Sequence, residues 1–164
     1  MAEKVAKEKV LFICTHNSAR SQMAEAFLRI FYGGDFEASS AGTEPAGINP
    51  YAIWVMKELG IDISEQQSRN VREFSNVQFD YVITVCDQTR ESCPFFPGRR
   101  IIHKGFEDPA QFKGTEQEIL STFRKVRDEI KDWVERSFKR KGEKLQEQPV
   151  FWPTIKENLK EKKK

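Results

Sequence analysis

The sequence predicts an α/β fold built on a parallel sheet. Two observations carry this. The apolar runs "KVLFIC" (9–14) and "FDYVITVC" (79–86) lack the in–out alternation of a surface strand, so they suit strands buried on both faces. Between and after such runs lie windows with helical apolar spacing, and strand–helix alternation is the pattern of parallel sheets with crossover helices.

The elements come in order along the chain. After the first strand, "RSQMAEAFLRIFY" (20–32) places Met23, Ala24, Phe27, Leu28 and Phe31 at helical spacing, and Gly33-Gly34 stops the helix. "FEASSAG" (36–42) reads as a second short strand ending in small residues. "NPYAIWVMKELG" (49–60) has an Asn N-cap, a proline in the first turn and a glycine stop. "FDYVITVC" is the third strand and "RRIIH" (99–103) the fourth. A long amphipathic helix closes the series over 114–138, with Ile119, Leu120, Phe123, Val126, Ile130, Trp133, Val134 and Phe138 on one side. Trp54 and Trp133 sit at core spacing and are expected to pack. His103 is expected to be structural, and the aromatics of "CPFFPG" (93–98) are read as packing.

The chain of 164 residues is long enough for one domain with a substantial core. Residues 1–138 are expected to form it. Residues 139–164 read as a charged extension, Lys/Glu-rich around the apolar island "PVFWPTI". Hydrophobic content is 38% and mean hydropathy −0.63, with no apolar run long enough to span a membrane. "MAEKVAKEK" lacks the apolar core of a secretory signal. A cytoplasmic protein with no membrane partner is expected, monomeric by default. Net charge is +2, and the lysines of the tail alternate with glutamates, which argues against a nucleic-acid surface. Three cysteines, an odd number, argue against a structural disulfide framework and for free, metal-binding or redox-active thiols.

Ligands of open parallel sheets bind at the carboxyl ends of the strands. Cys14 and Cys86 both end predicted strands there. Between strand and helix runs "CTHNSARS" (14–21). The backbone N–H groups of Thr15, His16, Asn17, Ser18, Ala19, Arg20 and Ser21 can converge on an anion, and the helix N-terminus adds partial positive charge. Arg20 supplies a planar fork that matches a tetrahedral oxyanion. The same field favours a thiolate at Cys14, to which Ser21 can donate its hydroxyl. Asn17 can pin the loop. Cys-x5-Arg alone is a weak pattern, since a buried cysteine can precede a helix that happens to begin with arginine. The strand before it, the helix after it and the adjoining serine make it a nucleophile loop for an oxyanion. Attack on an oxyanion needs a proton for the departing oxygen, and Asp108 in "GFEDPAQF" (105–112) could supply it from a loop over the site. A plain Asp-Pro turn is the competing reading, and Glu107 the second choice of acid.

The loop resembles the phosphate-binding loop of the low-molecular-weight protein tyrosine phosphatase superfamily, over about residues 9–138. The resemblance implies a three-layer fold with a four-stranded parallel sheet flanked by helices, and Asp108 as general acid. The phosphatase branch typically carries a tyrosine after the Asp-Pro pair, where this chain has Ala110.

Cys86 and Cys93 stand seven positions apart. A hydrolase needs neither, since water releases its cysteinyl intermediate; a reductase needs both. The pieces "CTHNSARSQMAE", "SAG" (40–42), "IDIS" (61–64), "CPFFPG" and "GFEDPA" resemble, in order, the thioredoxin-coupled arsenate reductases. That resemblance implies attack of Cys14 on arsenate, then a Cys14–Cys86 disulfide as arsenite leaves. Transfer to Cys86–Cys93 comes next, and thioredoxin acts as reductant. A phosphomonoester hydrolase using Cys14, Arg20 and Asp108 is the alternative, and a non-catalytic oxyanion or redox sensor the third. A zinc site of Cys86, Cys93 and His103 has no usual spacing, so no metal is expected. Some relatives hold potassium near the loop. Asn17, Glu25 and Ser40 match that pocket, but Gln67 and Arg69 fall where those relatives carry a hydroxyl and an aspartate, and an arginine there opposes a cation.

Overall fold

Strand β1 (Glu8–Cys14) is the hub of the molecule, a computed structural model that describes residues 6–87 and 95–139. Five consecutive β1 residues, Val10 to Cys14, are buried, as expected of a strand covered on both faces. It is flanked by β2 (Phe36–Gly42) on one side and β3 (Tyr81–Thr84) on the other, with β4 (Arg100–His103) beyond β3. The order is β2-β1-β3-β4 and every pairing is parallel. Because side chains alternate along a strand, Val10, Phe12 and Cys14 join one apolar cluster while Leu11 and Ile13 join another.

The first cluster takes the apolar stripes of helices α1 (Arg20–Tyr32), α2 (Pro50–Lys57) and α3 (Glu116–Ser137). Asn49 caps α2, its side chain accepting from the Tyr51 amide at 2.8 Å. Thr115 and Glu118 cap α3 with a reciprocal pair of hydrogen bonds. The second cluster is built on Phe74, Phe79 and Phe96, with a short 3-10 turn at Val71–Phe74. Phe138, just past α3, meets Phe12, Tyr32, Phe36, Tyr81 and Trp133 with ring centroids 5.1–6.5 Å apart. Phe36 and Tyr81 begin their strands, so this aromatic knot closes the amino end of the sheet. The carboxyl end is left for chemistry.

Two expectations change. Trp54 is 60% exposed, not packed. The buried stripe of α2 runs through Ala52, Val55 and Met56, and Trp54 lies about two residues of helical rotation off it, on the far face. The third strand is shorter than the apolar run: pairing ends at Thr84, one more bond joins Val85 N–H to the Ile13 carbonyl (2.8 Å), and Cys86 lies beyond it. Of "CPFFPG", Phe96 is buried and Phe95 is 80% exposed, while Cys93 and Pro94 lie outside the described residues. The tail from 140 lies outside them as well.

Candidate active site

Register decides which residues meet at the carboxyl end. Cys14 ends β1 opposite Gly42 of β2, and Ile13 pairs with Thr84 of β3. Cys14 and Cys86 therefore leave the sheet from neighbouring strands, and both belong to the same buried cluster.

The loop after Cys14 is tied outward by its carbonyls. Thr15 O accepts from the Glu44 amide (2.9 Å), His16 O from Ala46 (3.0 Å) and Ser18 O from Asn49 (2.9 Å). Asn17 O accepts from Gln22 Nε2 (3.0 Å). In a trans peptide the next N–H points opposite to the carbonyl, and the described chain has no cis bond. The N–H groups of His16, Asn17, Ser18 and Ala19 are thus turned away from these partners, to the side where an oxyanion can be held. Asn17 makes the turn with φ of 47°, a left-handed conformation that asparagine tolerates better than most residues. Helix α1 then starts at Arg20 with no side-chain cap at Ala19.

The hydrogen-bond directions around Cys14 are set by Asn17. Its Oδ1 accepts from the Arg69 amide (2.8 Å), which leaves Nδ2 to donate to Ser21 Oγ (2.8 Å). Ser21 Oγ, already accepting, is free to point its proton at Cys14 Sγ, 2.9 Å away. That is the arrangement a thiolate uses. Cys14, Asn17 and Ser21 are all buried, and Cys14 is a free thiol. The His16 imidazole does not enter the site, since Nδ1 lies 3.2 Å from the Glu44 carbonyl.

A third segment arrives after β4. Phe106 N–H donates to the Val85 carbonyl (3.1 Å), so residues 105–108 run beside the exit of β3. Arg20 Nη1 donates to the Phe106 carbonyl (3.3 Å), and Nη2 lies 3.5 Å from Asp108 Oδ2. Asp108 Oδ1 accepts from the Ala110 amide (3.0 Å). The Asp-Pro turn is therefore real, and it aims the carboxylate at the arginine of the loop. Glu107 instead lies 4.0 Å from Lys125, out on the surface. Cys86 is fully buried and disulfide-bonded. Its carbonyl and His103 Nε2 flank Gly105, where a Cβ would stand 3.1 and 3.3 Å from them. His103 Nδ1 is 2.8 Å from Thr84 Oγ1, in the structural role expected of it.

Sequence reasoning missed several parts. Gly42 is the sharpest: a Cβ there would stand 2.5 Å from Thr15 O and 2.9 Å from both Asn17 N and Cys14 O. Only glycine lets β2 pass this close to the loop. The small residues ending "FEASSAG" were the visible signal. Gln22 and the backbone of Arg69 gave none, because their partners are reached through the fold.

A family description, low molecular weight phosphotyrosine protein phosphatase, matches residues 9–149. An arsenate reductase of Halalkalibacterium halodurans is 44% identical over 125 residues, spanning 76% of this chain and 90% of that protein. The chain belongs to this family, in its arsenate reductase branch. Among solved structures, an arsenate reductase in the phosphate binding state superimposes with a TM-score of 0.63 at 34% identity, covering 78% of this chain and 94% of the other. A thioredoxin-dependent arsenate reductase of Corynebacterium glutamicum gives 0.54 at 32% identity, covering 82% and 66%. The four-stranded parallel sheet is the fold of this family. Among the described residues, no helix is long and apolar enough to cross a membrane.

Proposed function

We propose that this protein reduces arsenate to arsenite through Cys14, Cys86 and Cys93, with thioredoxin as the reductant in a thiol-maintaining cytoplasm. One observation carries the reading: the free thiol of the oxyanion loop, Cys14, and a second cysteine, Cys86, leave neighbouring strands into the same buried cluster. A relay needs a second thiol beside the nucleophile, and Cys86 supplies it.

The steps use this geometry. Arsenate enters the cradle of loop amides and takes the Arg20 fork. Its oxygens compete with Asp108 for the guanidinium, and the freed carboxyl faces the bound oxyanion. Cys14 Sγ attacks arsenic, and an oxygen leaves as water with a proton from Asp108. Cys86 then attacks Cys14 Sγ as a thiolate. The As–S bond breaks, its electron pair goes to arsenic, and arsenic(V) becomes arsenic(III). Arsenite departs and the Cys14–Cys86 disulfide remains. Cys93 attacks Cys86, which restores the Cys14 thiolate and leaves a Cys86–Cys93 disulfide. The two thiols of thioredoxin reduce that disulfide and are themselves oxidised.

Arsenate-dependent NADPH oxidation, coupled through thioredoxin and its reductase, tests the whole cycle. Sustained oxidation by the wild type and none by Cys93→Ser is expected. Hydrolysis of an aryl phosphate, equal in both proteins and without arsenate turnover, would mean that Cys14, Arg20 and Asp108 serve a phosphatase.

A further inference from the structure

Beneath the loop, Glu25 of α1 is buried, and both its carboxylate oxygens are engaged. Oε1 accepts from Ser40 Oγ (3.0 Å) and Oε2 pairs with Arg29 Nη2. Burial pushes the Glu25 carboxyl up, and Arg29 first, then Ser40 and Arg69, counter that push. Glu25, Arg29, Ser40, Gln67 and Arg69 border a cleft of about 360 Å³.

This is the pocket where the family resemblance implies potassium. The residues present do not fit it. The side-chain oxygen of Asn17 accepts from the Arg69 amide, and each oxygen of Glu25 already accepts from a protein donor. Gln67 Oε1 accepts from Arg69 Nε (3.1 Å), and its carbonyl accepts from Gln22 Nε2 (2.9 Å). The Arg29 guanidinium pairs with the buried carboxylate and Arg69 borders the same cleft, and two positive charges there oppose an alkali ion.

Arg29 does more than neutralise. Its Nη1 donates to Gln66 Oε1 (3.1 Å), Gln66 Nε2 donates to Gln22 Oε1 (2.7 Å), and Gln22 Nε2 donates to the Asn17 carbonyl (3.0 Å). A continuous chain of directed hydrogen bonds thus runs from the guanidinium to the turn of the oxyanion loop. We propose that Arg29, backed by Arg69, is a built-in cation that neutralises Glu25 and positions the loop through Gln66, Gln22 and Asn17. The protein then needs no potassium to hold the loop. Arg29 is a positioning residue and touches no substrate.

Thermal melting and arsenate binding read this without turnover, so the test stands apart from the reduction pathway. In chloride salts of potassium, sodium and tetramethylammonium, each at about 0.1 M to match screening, the wild-type Tm should agree within about 1 °C. Arg29→Met should lower Tm by about 3 °C or more and weaken arsenate binding, read as the stabilisation arsenate gives, by about fivefold or more. In the coupled assay the loss should fall on KM for arsenate and leave kcat within about twofold, and Arg29→Lys should restore most of it. The proposal is overturned if potassium alone raises the wild-type Tm by more than about 3 °C. It is equally overturned if Arg29→Met keeps wild-type melting and arsenate binding.

Discussion

Two neighbouring strands each end near a cysteine, and the chain leaves them in opposite ways. After β1 it needs only five residues, Thr15–Ala19, to enter α1, and each of their carbonyls accepts a hydrogen bond. After β3 the ladder stops at Thr84, Val85 makes one last bond to Ile13, Cys86 lies beyond it, and the sequence "DQTRES" that follows contains no apolar residue. A nucleophile gains from donors fixed before substrate arrives, because no reorganisation is then needed in the transition state. In the proposed relay Cys86 must pass its bond from Cys14 to Cys93, and a sequence with no apolar residue to bury between them suits that step. One sheet end can hold both kinds of cysteine if their exits are built differently.

The division breaks first at the thiols. Cys14→Ser should abolish arsenate consumption and any aryl phosphate hydrolysis together. Cys86→Ser should stop arsenite release yet leave arsenate affinity, measured by calorimetry, within about threefold of wild type, because Cys86 is no part of the cradle. A Cys86→Ser protein that binds no arsenate would erase the distinction between the two exits.

Gly42→Ala sharpens it from the other side. The new Cβ must push on backbone atoms of the loop, which cannot swing away like a side chain. Oxyanion affinity should fall about 10- to 100-fold, equivalent to about 1.4–2.8 kcal/mol, while reduction of the oxidised protein by thioredoxin keeps its rate. Ser21→Ala removes the donor to Cys14 Sγ and strands Asn17 Nδ2. A rate of Cys14 alkylation by iodoacetamide about tenfold lower at neutral pH is expected, and an unchanged rate would mean that the 2.9 Å contact does not favour the thiolate.

The smallest effect lies away from both exits, where α2 and α3 are clasped. Arg124 holds the Glu58 carboxyl below its ordinary value of 4.5, with Arg127 adding to it. A depressed carboxyl stabilises the fold above its unfolded value and loses that contribution as pH falls through the folded one. Glu58→Gln should therefore lower Tm at pH 7 by about 1–3 °C, with a gap that closes as the pH drops below about 4. Arsenate affinity should not change, and a change would mean that the clasp reaches the loop.

How much of this the sequence carried depends on the range of the contacts. The strands and helices were legible because their patterns are local: α1 starts at Arg20 and β2 spans Phe36–Gly42, as their periodicity and glycines imply. The loop was legible because cysteine, arginine and serine act within eight consecutive residues. Trp54 misled because a short helix has few residues to define its buried stripe. The outward ties from Thr15, His16 and Ser18 to residues 44–49 were not legible, since they depend on how β2 and the turn after it pack beside β1. The Arg29–Gln66–Gln22 chain was hidden for the same reason, joining residues about forty positions apart by a path only the fold creates.

The proposed relay requires Cys14 and Cys86 to exchange electrons through a disulfide. Mass-spectrometric mapping of Cys93→Ser, first reduced and then given arsenate without thioredoxin, tests it most directly. A Cys14–Cys86 linked peptide, formed in step with a stoichiometric amount of arsenite, is the predicted result. Consumption of the oxyanion with both cysteines still open to alkylation would contradict it.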